Sequence, residues 1–281
     1  ELPLLPQVLV KILQLDSLAD DYFEQFECLA REDPAFAVRI VALANSAASA
    51  PATPIVSISE AITRMGAAAI RGLTASLAVQ RVFMPTEPGQ VRLWTHSIMA
   101  AVATQRVASL LPNLEIDAGS AYLAGLLHDI GRFVMLEHST SGLNQVDESE
   151  WRSPEELVSA EFEVYKFTHS ELGYAACRHW RLPEELAQVV RDHHSAIRCP
   201  VEPNTVEAVT FCVQVADRLC IAALENPDFE KLTDAEKQQV LEACCDIQEY
   251  PVGGPGATQL SAALPLMQRD AEQLLCGLGF R

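Results

Sequence analysis

The chain has 281 residues, 49% of them hydrophobic and 21% charged, enough apolar material for a buried core in one large domain or two small ones. Its 20 Lys+Arg against 38 Asp+Glu give a formal net charge of -18, which argues against a broad electrostatic grip on nucleic acid or on an anionic membrane. Neither partner is expected, and any phosphate-bearing ligand would need a local source of positive charge.

The eight cysteines include no CxxC pair and no framework of the small secreted kind, so they are expected to be reduced and mostly buried. No run of about 18 apolar residues is present, as a membrane span would need, and no charged stretch leads into a short apolar core. The cytoplasm is the expected compartment. The first residue is Glu1 rather than Met, which leaves room for an upstream segment of a longer product.

Apolar residues recur at helical rather than alternating spacing, so the predicted fold class is all-α. Leu9, Ile12 and Leu13 mark a first amphipathic stretch. Asp33-Pro34 reads as an N-cap with proline at the first helical position, opening a helix whose inner face is Phe36, Ile40, Leu43 and Ala44. Residues 47–54 read as a loop. Ser57 or Ser59 caps the next helix, with Ile62, Met65 and Ile70 inward, and a further stretch runs through Leu73, Leu77 and Val82.

The segment Pro85–Gly89 (PTEPG) breaks the pattern and divides an N-terminal helical subdomain, residues 1–86, from a second helical unit, residues 87–281. Helices are predicted beyond it over Leu93–Leu110, Ala121–Glu137, Pro154–Tyr165, His169–Trp180, Pro183–His194 and Val206–Leu224. A loop at Pro251–Gly256 precedes a last helix, Leu260–Leu278.

Within Ala121–Glu137 the stretch LLHDIGRF places His128 and Asp129 among residues apolar on nearly every side. A buried carboxylate without a partner is costly, so a cation or a proton is expected beside it. Gly125 and Gly131 interrupt the helix pattern, each costing roughly 1 kcal/mol relative to alanine, and suggest close approach by another element. Adjacent helical residues point about 100° apart, so His128 and Asp129 reach two sides of a nearby ion or ion pair. For an isolated HD dipeptide the ordinary reading is a buried pair satisfied by other side chains.

Other residues alter that reading. His96 lies in an apolar helix, and Thr168-His169-Ser170-Glu171 fits a capping box that sets His169 in the first turn of its helix. His193 and His194 fall in the last turn of the helix after Pro183, where the dipole favours a cation. Asp217 sits mid-helix between Val213, Val215, Ala216, Leu219 and Cys220. Five imidazoles and two carboxylates on separate helices suffice for two divalent ions. A ligand set without thiolates suits iron, manganese, zinc or similar ions, and does not distinguish these from nickel or magnesium. His138 and His179 are left outside this set, and Trp94, Trp151 and Trp180 read as core or boundary aromatics.

At these positions the sequence resembles the HD superfamily of metal-dependent phosphohydrolases, whose pattern H…HD…D is matched by His96, His128-Asp129 and Asp217. His169, His193 and His194 are similar to the extra ligands of its binuclear HD-GYP branch, where the aspartate of the pair bridges two metals. A wider resemblance is to the HDOD family, HD-related output domains of bacterial signalling. It is carried by Leu4-Leu5-Pro6, Asp33-Pro34-Ala35-Phe36, Leu43-Ala44-Asn45-Ser46-Ala47, Glu60-Ala61-Ile62 with Met65-Gly66, Trp180-Arg181-Leu182-Pro183-Glu184-Glu185-Leu186 and Ala216-Asp217-Arg218-Leu219. The resemblance spans residues 1–225. It implies an HD-like helical bundle preceded by an N-terminal helical subdomain.

Two departures stand out. Ser195 follows His193-His194 without a GYP signature, and Arg132 stands where the HD-GYP branch usually has lysine. HDOD members commonly lack an intact metal set, which this chain retains.

The resemblance therefore implies a hydrolase of phosphorylated small molecules or nucleotides, with metal ligands His96, His128, Asp129, His169, His193, His194 and Asp217. Asp129 and Arg132 would be the catalytic residues, Arg132 as the phosphate contact. A signalling output module that binds protein partners, and a di-iron oxygenase on the same scaffold, are its alternatives.

Overall fold

The computed structural model describes residues 7–16, 19–31, 40–41, 44–45, 55, 57–83, 88–149, 151, 153–196, 205–224, 226, 228–245 and 255–278. The predicted cap at Asp33-Pro34, most of the loops at 47–54 and 251–256, and the centre of the PTEPG boundary lie outside these residues.

Every regular element among the described residues is helical. In chain order they are α1 (Gln7–Leu13), α2 (Tyr22–Arg31), α3 (Ile58–Val82), α4 (Pro88–Leu110), α5 (Ala118–Leu127), α6 (Ile130–His138), α7 (Thr140–Asp147), α8 (Pro154–Tyr165), α9 (His169–His179), α10 (Glu184–Asp192), α11 (Val206–Leu219), α12 (Asp234–Cys245) and α13 (Pro255–Leu278). Local chemistry explains many of the starts. Side chains of Ser57, Asp117, Ser139, Ser153 and Thr205 each accept a backbone N–H from the first turn of the helix that follows. Thr168 and Glu171 form both bonds of the predicted capping box.

The long α4 is the hub, packing against α5, α11 and α13, while α3 lies against α5 and α9 against α6 and α10. Buried residues of α1 to α3 join those of the later helices in one apolar cluster, including Ile12, Phe26, Ile62, Ile70, Ile98, Leu126 and Phe211. Trp94 and Trp180 belong to this core, as expected. Of the described cysteines, Cys177, Cys212 and Cys220 are buried and Cys28 and Cys276 exposed.

The predicted continuous helix Ala121–Glu137 is two helices. α5 ends at Leu127, and α6 starts at Ile130 after Asp129, whose φ of -96° and ψ of 15° leave the helical region. Apolar residues continue at helical spacing through both halves, so periodicity conceals the joint. The two glycines allow the crowding around it. A Cβ on Gly125 would lie 2.6 Å from the Ala100 carbonyl of α4, and one on Gly131 would run into the His169 carbonyl of α9.

Other boundaries differ from expectation: α4 starts at Pro88 within PTEPG, α5 at Ala118, and α13 at Pro255 within the expected loop 251–256. α10 ends at Asp192, so His193 and His194 follow the last helical residue instead of filling its final turn. The last stretch of the predicted Val206–Leu224 helix is a π-turn, Cys220–Leu224. Helices α2, α7 and α12 were not predicted from the apolar pattern.

Candidate metal centre

Five elements deliver the predicted ligands to one place. His96 comes from α4, the His128-Asp129 pair from the α5–α6 joint, His169 from the first turn of α9, His193 and His194 from the end of α10, and Asp217 from α11. All are buried except His96 and His194, which are half-buried.

The ligand atoms fall into two groups that share one carboxylate. Asp129, His169, His193 and His194 form one, and His96, His128 and Asp129 the other, with the ligand atoms in each within 4.8 Å of one another. Asp129 Oδ1 lies 3.1 Å from His169 Nε2 and 3.7 Å from His193 Nε2, and Oδ2 lies 3.6 Å from His96 Nε2. Asp217 flanks the second group, its Oδ1 lying 3.3 Å from His96 Nε2 and 3.8 Å from His128 Nε2. Each of these groups can hold a metal ion.

Hydrogen bonds on the far side of the rings orient them. His128 Nδ1 lies 2.7 Å from the Gly125 carbonyl, His193 Nδ1 2.7 Å from the Val190 carbonyl, and His169 Nδ1 2.6 Å from Glu161 Oε2. Carbonyl and carboxylate oxygens only accept, so each Nδ1 carries a proton and each ring turns its Nε2 inward. Those nitrogens are crowded: Nε2 atoms of His96 and His128 are 3.2 Å apart, and those of His169 and His194 are 2.9 Å apart. Imidazole nitrogens that converge on one another and on two carboxylates form the kind of donor set that borderline divalent ions accept.

The electrostatics agree. Burial would raise the Asp129 carboxyl, but His128 and His169 outweigh it and hold it well below the ordinary range. Asp217 is likewise lowered, against burial, by His128 and His96. Burial pushes His193 and His194 down, keeping them neutral, aided at His194 by His193 and His169. His169 goes the other way: burial opposes its charge, yet Glu161 and Asp129 raise it to about 10.

The centre opens into a cleft of about 320 Å³ whose walls include His96, Asp129, His194, Asp217, Arg92 and Arg132. Arg132, the expected phosphate contact, lines this cleft but already has an acidic partner. Arg132 is 8% exposed, its Nη2 lies 2.5 Å from Asp147 Oδ1, and its guanidinium sits 5.7 Å from the centre of the Trp151 ring. Arg218 points away from the centre to Glu155, at 2.8 Å, and His138 and His179 stand outside it at exposed helix ends.

The sequence reading missed Glu161, Asp147, Arg92 and the cleft position of Trp151. Glu161 alone left a signal. It lies four residues after buried Leu157, on the inner face of α8, and is itself fully buried.

Known proteins share this fold. An HDOD domain of Geobacter sulfurreducens, of unknown function, has 23% identical residues and a TM-score of 0.72, covering 98% of this chain and 93% of that one. A candidate phosphohydrolase of Shewanella amazonensis has 19% identity and a TM-score of 0.72, covering 97% and 95%. At these identities the likeness establishes the fold. An uncharacterised protein of Treponema pallidum is 26% identical over 204 residues, 72% of this chain, and the chain spans only 39% of that relative's length. The HDOD domain profile matches residues 2–196, which take in each candidate ligand but Asp217. The chain belongs to the HDOD family.

Proposed function

We propose that the chain is a metal-dependent phosphohydrolase, acting on a phosphomonoester or phosphodiester of a small molecule or nucleotide, with two divalent cations held by the ligand groups that share Asp129. The observation that carries this reading is the pair of inward-facing ligand sets on one carboxylate, at the wall of a cleft that also presents two arginines. Cations held there supply Lewis acidity toward a phosphoryl oxygen and a means of ionising water near neutral pH.

The chain's own residues set the rest. Asp129, common to both groups, ties their spacing together, and the Nδ1 hydrogen bonds of His128, His169 and His193 keep the rings from rotating as a ligand arrives. Arg92 and Arg132 put positive charge on the cleft wall, which offsets the repulsion that a phosphate dianion would meet from a chain of net charge -18. Asp147 already engages Arg132 Nη2, so Arg92 is the more accessible of the two for a phosphate. Leu143, Leu157 and Ile221 give the cleft an apolar wall that excludes water from the ester.

The test is elemental analysis of protein purified without chelator, followed by a panel of phosphomonoesters and phosphodiesters with Mn²⁺ or Fe²⁺. Two equivalents of metal and turnover that disappears in Asp129→Ala are expected. Metal without turnover on any member of the panel would sink the hydrolase and leave a metal-stabilised signalling module. An iron EPR signal that responds to oxygen would point to an oxygenase instead.

A further inference from the structure

We infer that Glu161 is a positioning residue for the inner ligand group, holding His169 so that its Nε2 meets Asp129 and making that imidazole the strongest nitrogen donor in the centre. The inference rests on the metal-binding part of the reading above, and not on the reaction.

Glu161 Oε2 accepts from both the backbone N–H of His169, at 2.8 Å, and its Nδ1–H, at 2.6 Å. One oxygen thus fixes the main chain and the ring of the same residue. The capping box of Thr168 and Glu171 fixes the same turn independently, so the placement of His169 is determined twice. The ring lies between Glu161 and the centre, which prevents the glutamate from serving as a ligand itself.

The three oriented imidazoles are not equivalent. His128 and His193 donate to backbone carbonyls, whereas His169 donates to a carboxylate. A carbonyl suffices to set a tautomer and an orientation. A fully buried carboxylate does so at a large desolvation cost, partly offset here by Arg132, whose Nε lies 3.6 Å from Glu161 Oε1. What the carboxylate adds over a carbonyl is electron density on the ring, which raises its basicity toward a metal. The inner group of Asp129, His169, His193 and His194 is therefore built to hold its cation more tightly than the group of His96, His128 and Asp129, in which His128 is oriented by a backbone carbonyl.

Mn²⁺ titration of the metal-free full chain tests this, in the wild type and in a His96→Ala background that leaves the inner group alone. The wild type should bind in two unequal steps, and His96→Ala should keep the tighter one. Adding Glu161→Gln, which preserves shape but removes the charge, should weaken that step by about 10- to 100-fold. Glu161→Asp, a methylene too short to reach both donors, should do the same. Unchanged affinity in both variants would overturn the inference.

Circular dichroism of the metal-free variants checks that they fold. Should neither fold, the wild type carries a second measurement: with Zn²⁺ bound, His169 Nδ1–H should give a downfield, exchange-protected proton resonance, and its absence would overturn the inference. A wild type that binds no Mn²⁺ overturns the metal centre together with it, whereas two bound ions without hydrolysis defeat only the proposed reaction.

Discussion

The Nε2 atoms of His169 and His193 lie 3.0 Å apart, although each ring already donates its Nδ1 proton to an oxygen behind it. Two neutral rings in that arrangement would press lone pair against lone pair. A proton or a metal ion relieves this, and the raised His169 shows that, without metal, the proton is retained. Metal and proton compete for one position.

That competition sets a pH dependence. The folded value for His169 is about 10, against an ordinary 6.5, because Glu161 and Asp129 outweigh burial. Its contribution to stability is therefore fully present below its ordinary value and lost as pH rises through about 10. Asp129 and Asp217 are shifted down, so their contributions are present above the ordinary 3.8 and lost only as pH falls through their lower folded values. The unfolding temperature of chelator-treated protein should fall between neutral pH and about 10, and bound metal should flatten that slope. Thermal melts with and without EDTA decide it; a flat metal-free profile would contradict the assignment.

Metal uptake near neutral pH should release a proton from His169. Calorimetric titration in buffers of different ionisation enthalpy reads this directly. Identical apparent enthalpies in all buffers would mean that the ion binds elsewhere.

Asp129→Asn keeps size but removes the shared charge. Loss of several kcal/mol of electrostatic stabilisation corresponds to a fall in turnover on the order of 10³-fold, with both ions weakened together. A variant that loses one ion and retains the other would show that the carboxylate is not shared.

Gly131→Ala puts a methyl group into the His169 carbonyl, a backbone atom held by the start of α9. Overpacking of this kind costs roughly 1 to 3 kcal/mol, and relief requires α6 and α9 to separate, taking Asp129 away from His169. Urea denaturation should show the loss and metal analysis a weaker inner group. Wild-type values in both would falsify the close-approach account.

Arg132→Ala strips the buried Glu161 of its nearest guanidinium, and breaking a buried pair from one side costs roughly 3 to 5 kcal/mol. The lower end is expected, since Nε and Oε1 are 3.6 Å apart. Asp147 is 34% exposed, so Asp147→Asn should cost about 1 kcal/mol or less. Denaturation midpoints that rank the two variants the other way would place the important contact at Asp147.

Much of the site could be read from the chain because its cues are local. The capping box at Thr168, the HD pair among apolar residues, the polar Asp217 inside an apolar helix and the serine cap at position 57 each depend on neighbours within a turn. The break at Asp129 was hidden because helical periodicity carries on across it. Glu161 was missed because one acidic residue on α8 resembles any solvated carboxylate until the burial of that face is known.

Residue order alone thus determined the all-helical class, the identity of the candidate ligands and the family resemblance, since hydrophobic spacing, capping and residue chemistry are written within a few positions. Only the tertiary structure decided that the ligands meet in two groups on Asp129, that Glu161 stands behind His169 and that Arg132 is buried against Asp147. Those are contacts between helices distant along the chain, and their distances are set by how the whole core packs.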